Sequence, residues 1–504
     1  MQRWLRLIAL LAALAQLAAM VIYSINLFTH FDLGIDFAIL NQATSLIASG
    51  HLNPYNTLYP HPFWSDQFNL LAWPLALVRV VFPSSLSLLV VQDLAIASAS
   101  FLVIGFSIRV AERSFAHPAA KLLVVGSVAL LAVANPYAWQ AASFDVHLQP
   151  LAAVGLLLGL TGFWEKRKVL PWAGLAIALL SGTEAALLVT GLGVGMFALR
   201  RIRRSGAVVM VLGIAWLGLA MALNAHQSTP LAPSYGYLAH SSNQSLIGIF
   251  TGMITHPATP LATFMGRGGW IARIFIYSGL LGTLFLPALG ASVAAIGANA
   301  LQSSPSFITL QAGFQNYPET ILLLAGFPIV TAWLVSAIAK RAPRLAPAAV
   351  PAAAAALSLA IGAGALLYDA GIPPTWLIIP PRAATVLDGV HLAPSTQVFA
   401  TMPIIGRFAD RKDVIPWLAT AQAIPVCSST LEIIVSAGYG PKYSMVSEVM
   451  PFVKNLARLP EARLVTEGTN IFVYEVTGLK KNQVLVAPEA TIRMATPSDP
   501  RCAP

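Results

Sequence analysis

Charge is what this sequence has least of. Only 10% of its 504 residues are Asp, Glu, Lys or Arg, where a soluble domain has about a quarter. Hydrophobic residues make up 57%, and the mean hydropathy is +0.72. A water-soluble core has no room for so much apolar surface, so an ordinary soluble fold is excluded. The solvent of most of this chain is lipid, where runs of about 20 apolar residues satisfy their backbone hydrogen bonds internally as helices. Acids are scarcer than bases, 20 against 30. The resulting charge of +10 would suggest nucleic acid in a soluble protein, but the bases stand in short clusters between apolar runs. That is a topology signal, and no nucleic-acid partner is expected. Cysteine is nearly absent, with only Cys427 and Cys502. Both fall in the part read below as exported, where the compartment permits a disulfide, and the sequence leaves their pairing open. A Walker loop, a GxSxG elbow and an HExxH motif are also missing, so ATPase, serine-hydrolase and zincin chemistry have no support.

What is present is a strong sidedness. Up to Tyr368 there are eighteen Lys and Arg, and fifteen of them fall at five places: Arg3 and Arg6; Arg109, Arg113 and Lys121; Lys166 to Lys168; Arg200 to Arg204; and Lys340 to Arg344. With these facing the cytoplasm, only Arg79, Arg267 and Arg273 remain for the other side, a 15 to 3 bias. Apolar runs predict helices near 5–28, 85–108, 121–140, 147–164, 169–181, 184–199, 206–224, 271–284, 287–300, 320–338 and 347–368, about eleven crossings within a transmembrane domain spanning 1–368. The N-terminus is then cytoplasmic and the C-terminal domain extracytoplasmic, as expected of a multi-pass protein of the bacterial cytoplasmic membrane. The first run reads as an uncleaved helix, being too long for a signal-peptide core and lacking a small-residue cleavage site after it. Between Val169 and Leu199, with bases on both flanks, the chain must enter and return within 31 residues. Two halves of about 15 residues reach about 22 Å, short of a core about 30 Å thick. The tip, Ser181, Gly182, Thr183 and Glu184, should therefore stop below the outer surface, which is tolerated where polar backbone lines a wet cavity.

Long outer loops are expected at 29–84, 225–270 and 301–319, with 69–82 apolar enough to lie along the interface. From Asp369 on the composition changes: 136 residues hold twelve bases and eleven acids. Strand-like runs at 397–401, 424–427 and 431–437, a helical stretch at 445–457, and the alternating hairpin RLVTEGTNIFVYEV predict a small exported α/β domain over 369–485. The remainder, 486–504, reads as a disordered tail.

Of the nine carboxylates before Asp369, the topology puts Asp32, Asp36, Asp66, Asp145, Glu184 and Glu319 at the outer face. Asp32 and Asp36, four apart, would share one helical face about 6 Å apart, close enough to raise one pKa or to share a cation; alternatively, Asp32 caps a short helix. Asp145 and His147 in FDVHLQP could ligate a metal or act as base and partner, although loop polarity explains them too. Glu184 is an acid near membrane depth, which marks functional sites, and it is also placed to complement a helix dipole. Asp93, beside Gln92, suits interhelical hydrogen bonding. His51, His61, Asp66 and Gln67 enrich the first loop without metal-ligand spacing, and Gln315, Asn316, Tyr317 and Glu319 form a polar approach to the tenth helix. Any divalent metal would draw on Asp32, Asp145 and His147.

Five segments carry a resemblance: FDLGIDFAILNQ, SDQFNLLAWPLALV, FDVHLQPLA, SGTEAALLVTGLG and QNYPETILLLAGFP, in this order. Together they resemble a bacterial family of polytopic membrane proteins, a domain of unknown function grouped with the GT-C glycosyltransferases; 395–476 also resembles that family's end. The resemblance implies a transferase that moves sugar from a polyprenyl-phosphate carrier to an extracytoplasmic glycan, lipid or protein acceptor, in contact with membrane lipid. It maps the catalytic base to Asp32 or Asp36; with that function, the outer polar residues Asp66, Gln67, Asp145, His147, Glu184, Tyr317, Glu319 and Arg267 are the candidate substrate-binding set. Arg79, Arg273 and Arg407 are the other cations available to phosphate. The chain departs from the family pattern in having Gln67 where a His tends to follow the acid, and Thr183 where a base often precedes it. The alternatives are a transporter or flippase, for which inverted repeats and midplane ionisable residues are diagnostic, and a non-catalytic membrane scaffold.

Overall fold

The apolar runs fold as helices, and proline opens several of them. The computed structural model describes residues 2–30, 33–64, 68–223, 232–241, 244–309, 313–344, 346–365, 385–393, 395–418, 422–436, 446–468, 470–481, 483–495 and 502. Helix α1 (Gln2–His30) is followed by α2 (Ile35–Ala48), a small antiparallel pair β1 (Tyr55–Asn56) and β2 (His61–Pro62), and α3 (Ala72–Val81). Next come α4 (Leu86–Ser114), α5 (Pro118–Val133), α6 (Pro136–Ser143), α7 (Gln149–Trp164), α8 (Leu170–Leu180), α9 (Thr183–Phe197) and α10 (Arg203–Leu223). The membrane part closes with α11 (Ala232–Tyr235), α12 (Leu246–Thr255), α13 (Ala258–Gly266), α14 (Gly268–Tyr277), α15 (Leu286–Ala300), α16 (Gly313–Ala339) and α17 (Ala346–Gly364). Pro118, Pro136, Pro150, Pro171 and Pro287 all sit in a first turn, where the missing N–H costs nothing and the fixed φ is already helical.

Among the described residues six helices are long and apolar enough to cross a membrane: α1, α4, α5 running on through α6, α10, α16 and α17. Shorter apolar helices α2, α3, α7, α8, α9 and α15 accompany them. Ten of the eleven expected helices therefore have a helical counterpart. The run at 271–284 does not form one helix: α14 ends at Tyr277, Gly279 and Leu280 take positive φ, and a 3-10 turn covers Leu281–Leu284. Nor is 301–319 a loop throughout. α16 begins at Gly313 and runs through Pro318, so Tyr317 and Glu319 lie within a helix, both fully buried. The polar run QNYPE has the composition of a loop, but here burial against neighbouring helices overrides it. The bundle's basic end is tied by Arg109 to Glu165 and by Lys121 to Glu112, the latter at 2.8 Å.

In the C-terminal domain α18 (Thr385–Asp388) precedes β3 (Gln397–Thr401), α19 (Met402–Ile405), β4 (Val414–Trp417), β5 (Gln422–Pro425), β6 (Thr430–Ser436), α20 (Val446–Leu456), β7 (Ala462–Gly468), β8 (Ile471–Thr477), β9 (Gln483–Ala487) and β10 (Thr491–Met494). Five strands form a sheet in the order β4-β3-β6-β8-β7. β3 runs parallel to β4 and β6, while β8 is antiparallel to β6 and β7, with Ile433 opposite Tyr474. Both faces are covered, which is why β3 is buried along its length. Alternate residues Val398, Ala400, Ile434 and Val473 join a core shared with α2 and α3. Their neighbours Phe399, Ile433, Phe472 and Tyr474 pack with α20. The expected tail needs correction. β9 pairs with β10 and β5, Leu485 and Ala487 are fully buried, and Cys502 is disulfide-bonded to Cys427. Two four- or five-residue strands among Pro and charged residues give a weak sequence signal, and the pairing partner β5 supplies the rest.

Candidate functional site

The site begins with a helix whose N-terminus is capped from elsewhere in the chain. At the start of α2 the cap position is Gly34, which has no side chain to offer its unpaired N–H groups. The Asp145 carboxylate, from the turn between α6 and α7, does this instead. Oδ1 accepts from Gly34 N–H, and Oδ2 accepts from Asp36 N–H at 3.0 Å and Phe37 N–H at 3.3 Å. Burial, and the nearby Asp36 charge, push Asp145 up to about 7, while the three N–H donors oppose that shift. The positive end of the α2 dipole favours the ionised form. Asp145 thus orients Asp36, which sits in the first turn of α2 with its side chain 39% exposed. Burial raises the Asp36 pKa as well.

His147 is placed by the same turn. Its backbone N–H donates to Gln92 Oε1 at 2.7 Å, and Gln92 Nε2 donates to the Ala141 carbonyl at 2.8 Å. Its ring lies flat on Phe314, with centroids 3.6 Å apart and planes 1° from parallel, and Phe144 stacks at 5.5 Å. Nε2 is buried with no hydrogen-bond partner among the described residues and stands 3.7 Å from Asp36 Oδ2. Glu184, in the first turn of α9, follows Gly182, whose φ of +143° is a conformation that side-chain-bearing residues rarely adopt. Gln149 Nε2 donates to its Oε2 at 3.1 Å and Asn299 Nδ2 to its Oε1 at 2.9 Å.

These side chains line a cavity of about 420 Å³, within the range for small-molecule sites. Its wall includes Asp36, Asn69, His147, Gln149, Ser181, Gly182, Thr183, Glu184, Phe307, Phe314 and Gln315. The tip of the short α8–α9 hairpin lines it. A second, far smaller pocket of about 20 Å³ shares Asp36, Asn69 and His147 with it, room for about one water. No Lys or Arg is among the described lining residues.

The sequence candidates divide accordingly. Asp36, His147 and Glu184 meet at the cavity. Asp145 stands behind α2 as its cap. Tyr317 and Glu319 are buried in the bundle and off the cavity wall, with the Tyr317 hydroxyl donating to the Ile96 carbonyl at 3.1 Å. Arg267 is also off that wall; it donates to the carbonyls of Ala300, Gln302 and Ser303 at the end of α15. Arg407 bonds Asp388 and the Phe28 carbonyl, each at 3.3 Å. Asp32, Asp66 and Gln67 lie outside the described residues. Sequence reasoning missed Gln149, Asn299, Asn69, Phe307 and Phe314. Gln149 was visible two residues after His147, whereas Asn299 sits within an apolar run that carries no local signal. For a divalent ion, Asp36 and His147 offer a carboxylate and an imidazole in reach of one another; no cluster of three or more ligand side chains occurs among the described residues.

A cavity lined by polar and aromatic side chains within a mostly helical, multi-pass bundle, in a chain that also carries a strand-rich domain, defines the class: an integral membrane protein with a built site. The chain belongs to the family described as "Predicted membrane protein (DUF2079)", which matches residues 23–363 and so takes in all five resemblance segments. No curated protein matches it. Similar solved structures include ArnT from Cupriavidus metallidurans bound to undecaprenyl phosphate, 15% identical with a TM-score of 0.49 over 92% of this chain and 97% of that one. ArnT from the same organism in the apo state is 14% identical, with a TM-score of 0.45 over the same shares.

Proposed function

We propose that this protein is a GT-C-like glycosyltransferase that moves a sugar from a polyprenyl-phosphate carrier to an acceptor outside the bacterial cytoplasmic membrane, with Asp36 as general base. The N-terminus is then cytoplasmic and the C-terminal domain extracytoplasmic, as the 15 to 3 base bias supports. The observation that carries the reading is Asp36 itself: a part-buried carboxylate on the wall of a cavity of about 420 Å³, on a helix held by both the bundle and the C-terminal domain. Asn41 Nδ2 donates to the Gly406 carbonyl at 3.0 Å, and Gln42 Nε2 donates to the Arg411 and Lys412 carbonyls at 3.0 and 2.9 Å.

In the reaction the Asp36 carboxylate accepts the proton of an acceptor hydroxyl as its oxygen bonds to the anomeric carbon. The bond from that carbon to phosphate oxygen breaks, and polyprenyl phosphate leaves with inversion. Burial raises the basicity of Asp36, which suits it to this role. Glu184 and His147 orient the sugar. No Lys or Arg among the described lining residues offsets the charge on the leaving phosphate.

The test uses the full protein in nanodiscs with radiolabelled polyprenyl-phosphate sugars, comparing wild type with the double substitution Asp32→Asn, Asp36→Asn. Carrier-dependent loss of label that disappears in the double variant is expected. Folded wild-type protein that neither binds nor consumes any carrier across a broad panel would overturn the reading in favour of transport or scaffolding.

A further inference from the structure

We infer that the cavity accepts a glycosyl group without negative charge, uncharged or amino-substituted, and excludes uronic acids and other anionic sugars; this rests on the transferase reading above. Two carboxylates, Asp36 and Glu184, stand in the wall, and no Lys or Arg among the described lining residues offsets them. An anionic sugar would add a second negative charge to the one the carrier phosphate already brings, in a partly desolvated space where repulsion is poorly screened.

The hydrogen-bonding groups point to hydroxyl or ammonium ligands. Glu184 is fixed by amide donors on both oxygens, Gln149 on one and Asn299 on the other. Two carboxylate oxygens have about four lone-pair sites, so acceptor capacity remains for a hydroxyl or ammonium of the sugar. His147 Nε2 is buried, on the cavity wall, and without a hydrogen-bond partner among the described residues. A sugar hydroxyl satisfies it in either tautomer, since a hydroxyl both donates and accepts; a carboxylate could only accept, and would do so beside Asp36, 3.7 Å from that nitrogen. The Phe314 and His147 stack adds an apolar wall of the kind that packs against sugar C–H faces.

The experiment compares three donors with one polyprenyl-phosphate carrier and one ring configuration: a hexose, its 2-amino-2-deoxy form and its hexuronic acid. Equilibrium binding and turnover are measured on the wild-type protein in nanodiscs, so the principal result needs no variant. The hexose and aminohexose are expected to bind about tenfold or more tighter than the uronate. Glu184→Gln, nearly isosteric and able to meet both amides once Gln149 turns its oxygen toward the new NH2, should narrow that gap. Equal or tighter binding of the uronate to wild type would overturn the inference while leaving the transferase reading intact. If none of the three binds, the transferase reading falls and the inference falls with it.

Discussion

Gly406 is where a single methyl group should disturb the proposed catalytic helix from a different domain. This glycine ends α19 with φ of −57°, an ordinary helical value, so its backbone would accept any residue. Space is what excludes a side chain. A Cβ at this position would lie 2.6 Å from Phe37 Cδ1 and 2.9 Å from Cε1. To reach an ordinary 3.4 Å contact the ring must retreat by roughly 0.8 Å. Phe37 is fully buried and meets Phe28 edge-on at 6.1 Å, so its ring has little room to yield. The strain passes to the backbone of α2, where Phe37 directly follows Asp36. Gly406→Ala should therefore cost about 1–3 kcal/mol of stability, the usual range for overpacking, and lower transfer by about tenfold to a hundredfold, since misplacing a catalytic group by about 1 Å can cost that much. Thermal unfolding of the full protein and carrier-dependent sugar transfer read the two effects separately. Adding Phe37→Leu, which shortens the obstructing side chain, should recover more of both than the single effects predict. A Gly406→Ala protein with wild-type stability and turnover would refute the idea that this contact sets the position of Asp36.

Asp145→Asn keeps the shape of the α2 cap but loses its charge and one acceptor oxygen, and should cost about 1 kcal/mol. A positioning role predicts lower kcat with little change in KM; a change confined to KM or to metal dependence would instead make Asp145 a ligand. In the C-terminal domain, burial and the adjacent Glu475 push Glu432 up to about 7, with Arg463 and Arg411 opposing. An unfolded glutamate titrates near 4.5, so between these values the folded chain holds a proton that the unfolded chain has lost. Stability should rise as pH falls through that window and be least above it. Glu432→Gln should raise the unfolding temperature at about pH 8 and flatten this dependence; an unchanged pH profile would show that Glu432 is not the group responsible.

Much was legible from local pattern alone. Sustained apolar runs announce helices because lipid leaves the backbone no other partner. The hairpin at 462–477, the strands β3 and β6, the helix α20 and the short α8–α9 pair follow from alternation, periodicity and length in the same way. Asp36, His147 and Glu184 stood out because polar groups are rare in such a chain. What local pattern did not reach were decisions made by distant partners. Asp145 and Asp36 read as equals, yet one caps the helix that carries the other from 109 positions away. Tyr317 and Glu319 have the composition of a loop but are packed inside a helix. Arg267 looked available to phosphate but is held by three carbonyls. Asn299 gains its role only by meeting Glu184, 115 residues away. Composition and periodicity are properties of neighbouring residues, so the sequence by itself determined the membrane character, most helices and the candidate acids. Which acid faces the cavity, which is spent on backbone, and how the C-terminal domain grips α2 depend on contacts between remote segments, and only the tertiary structure decided them.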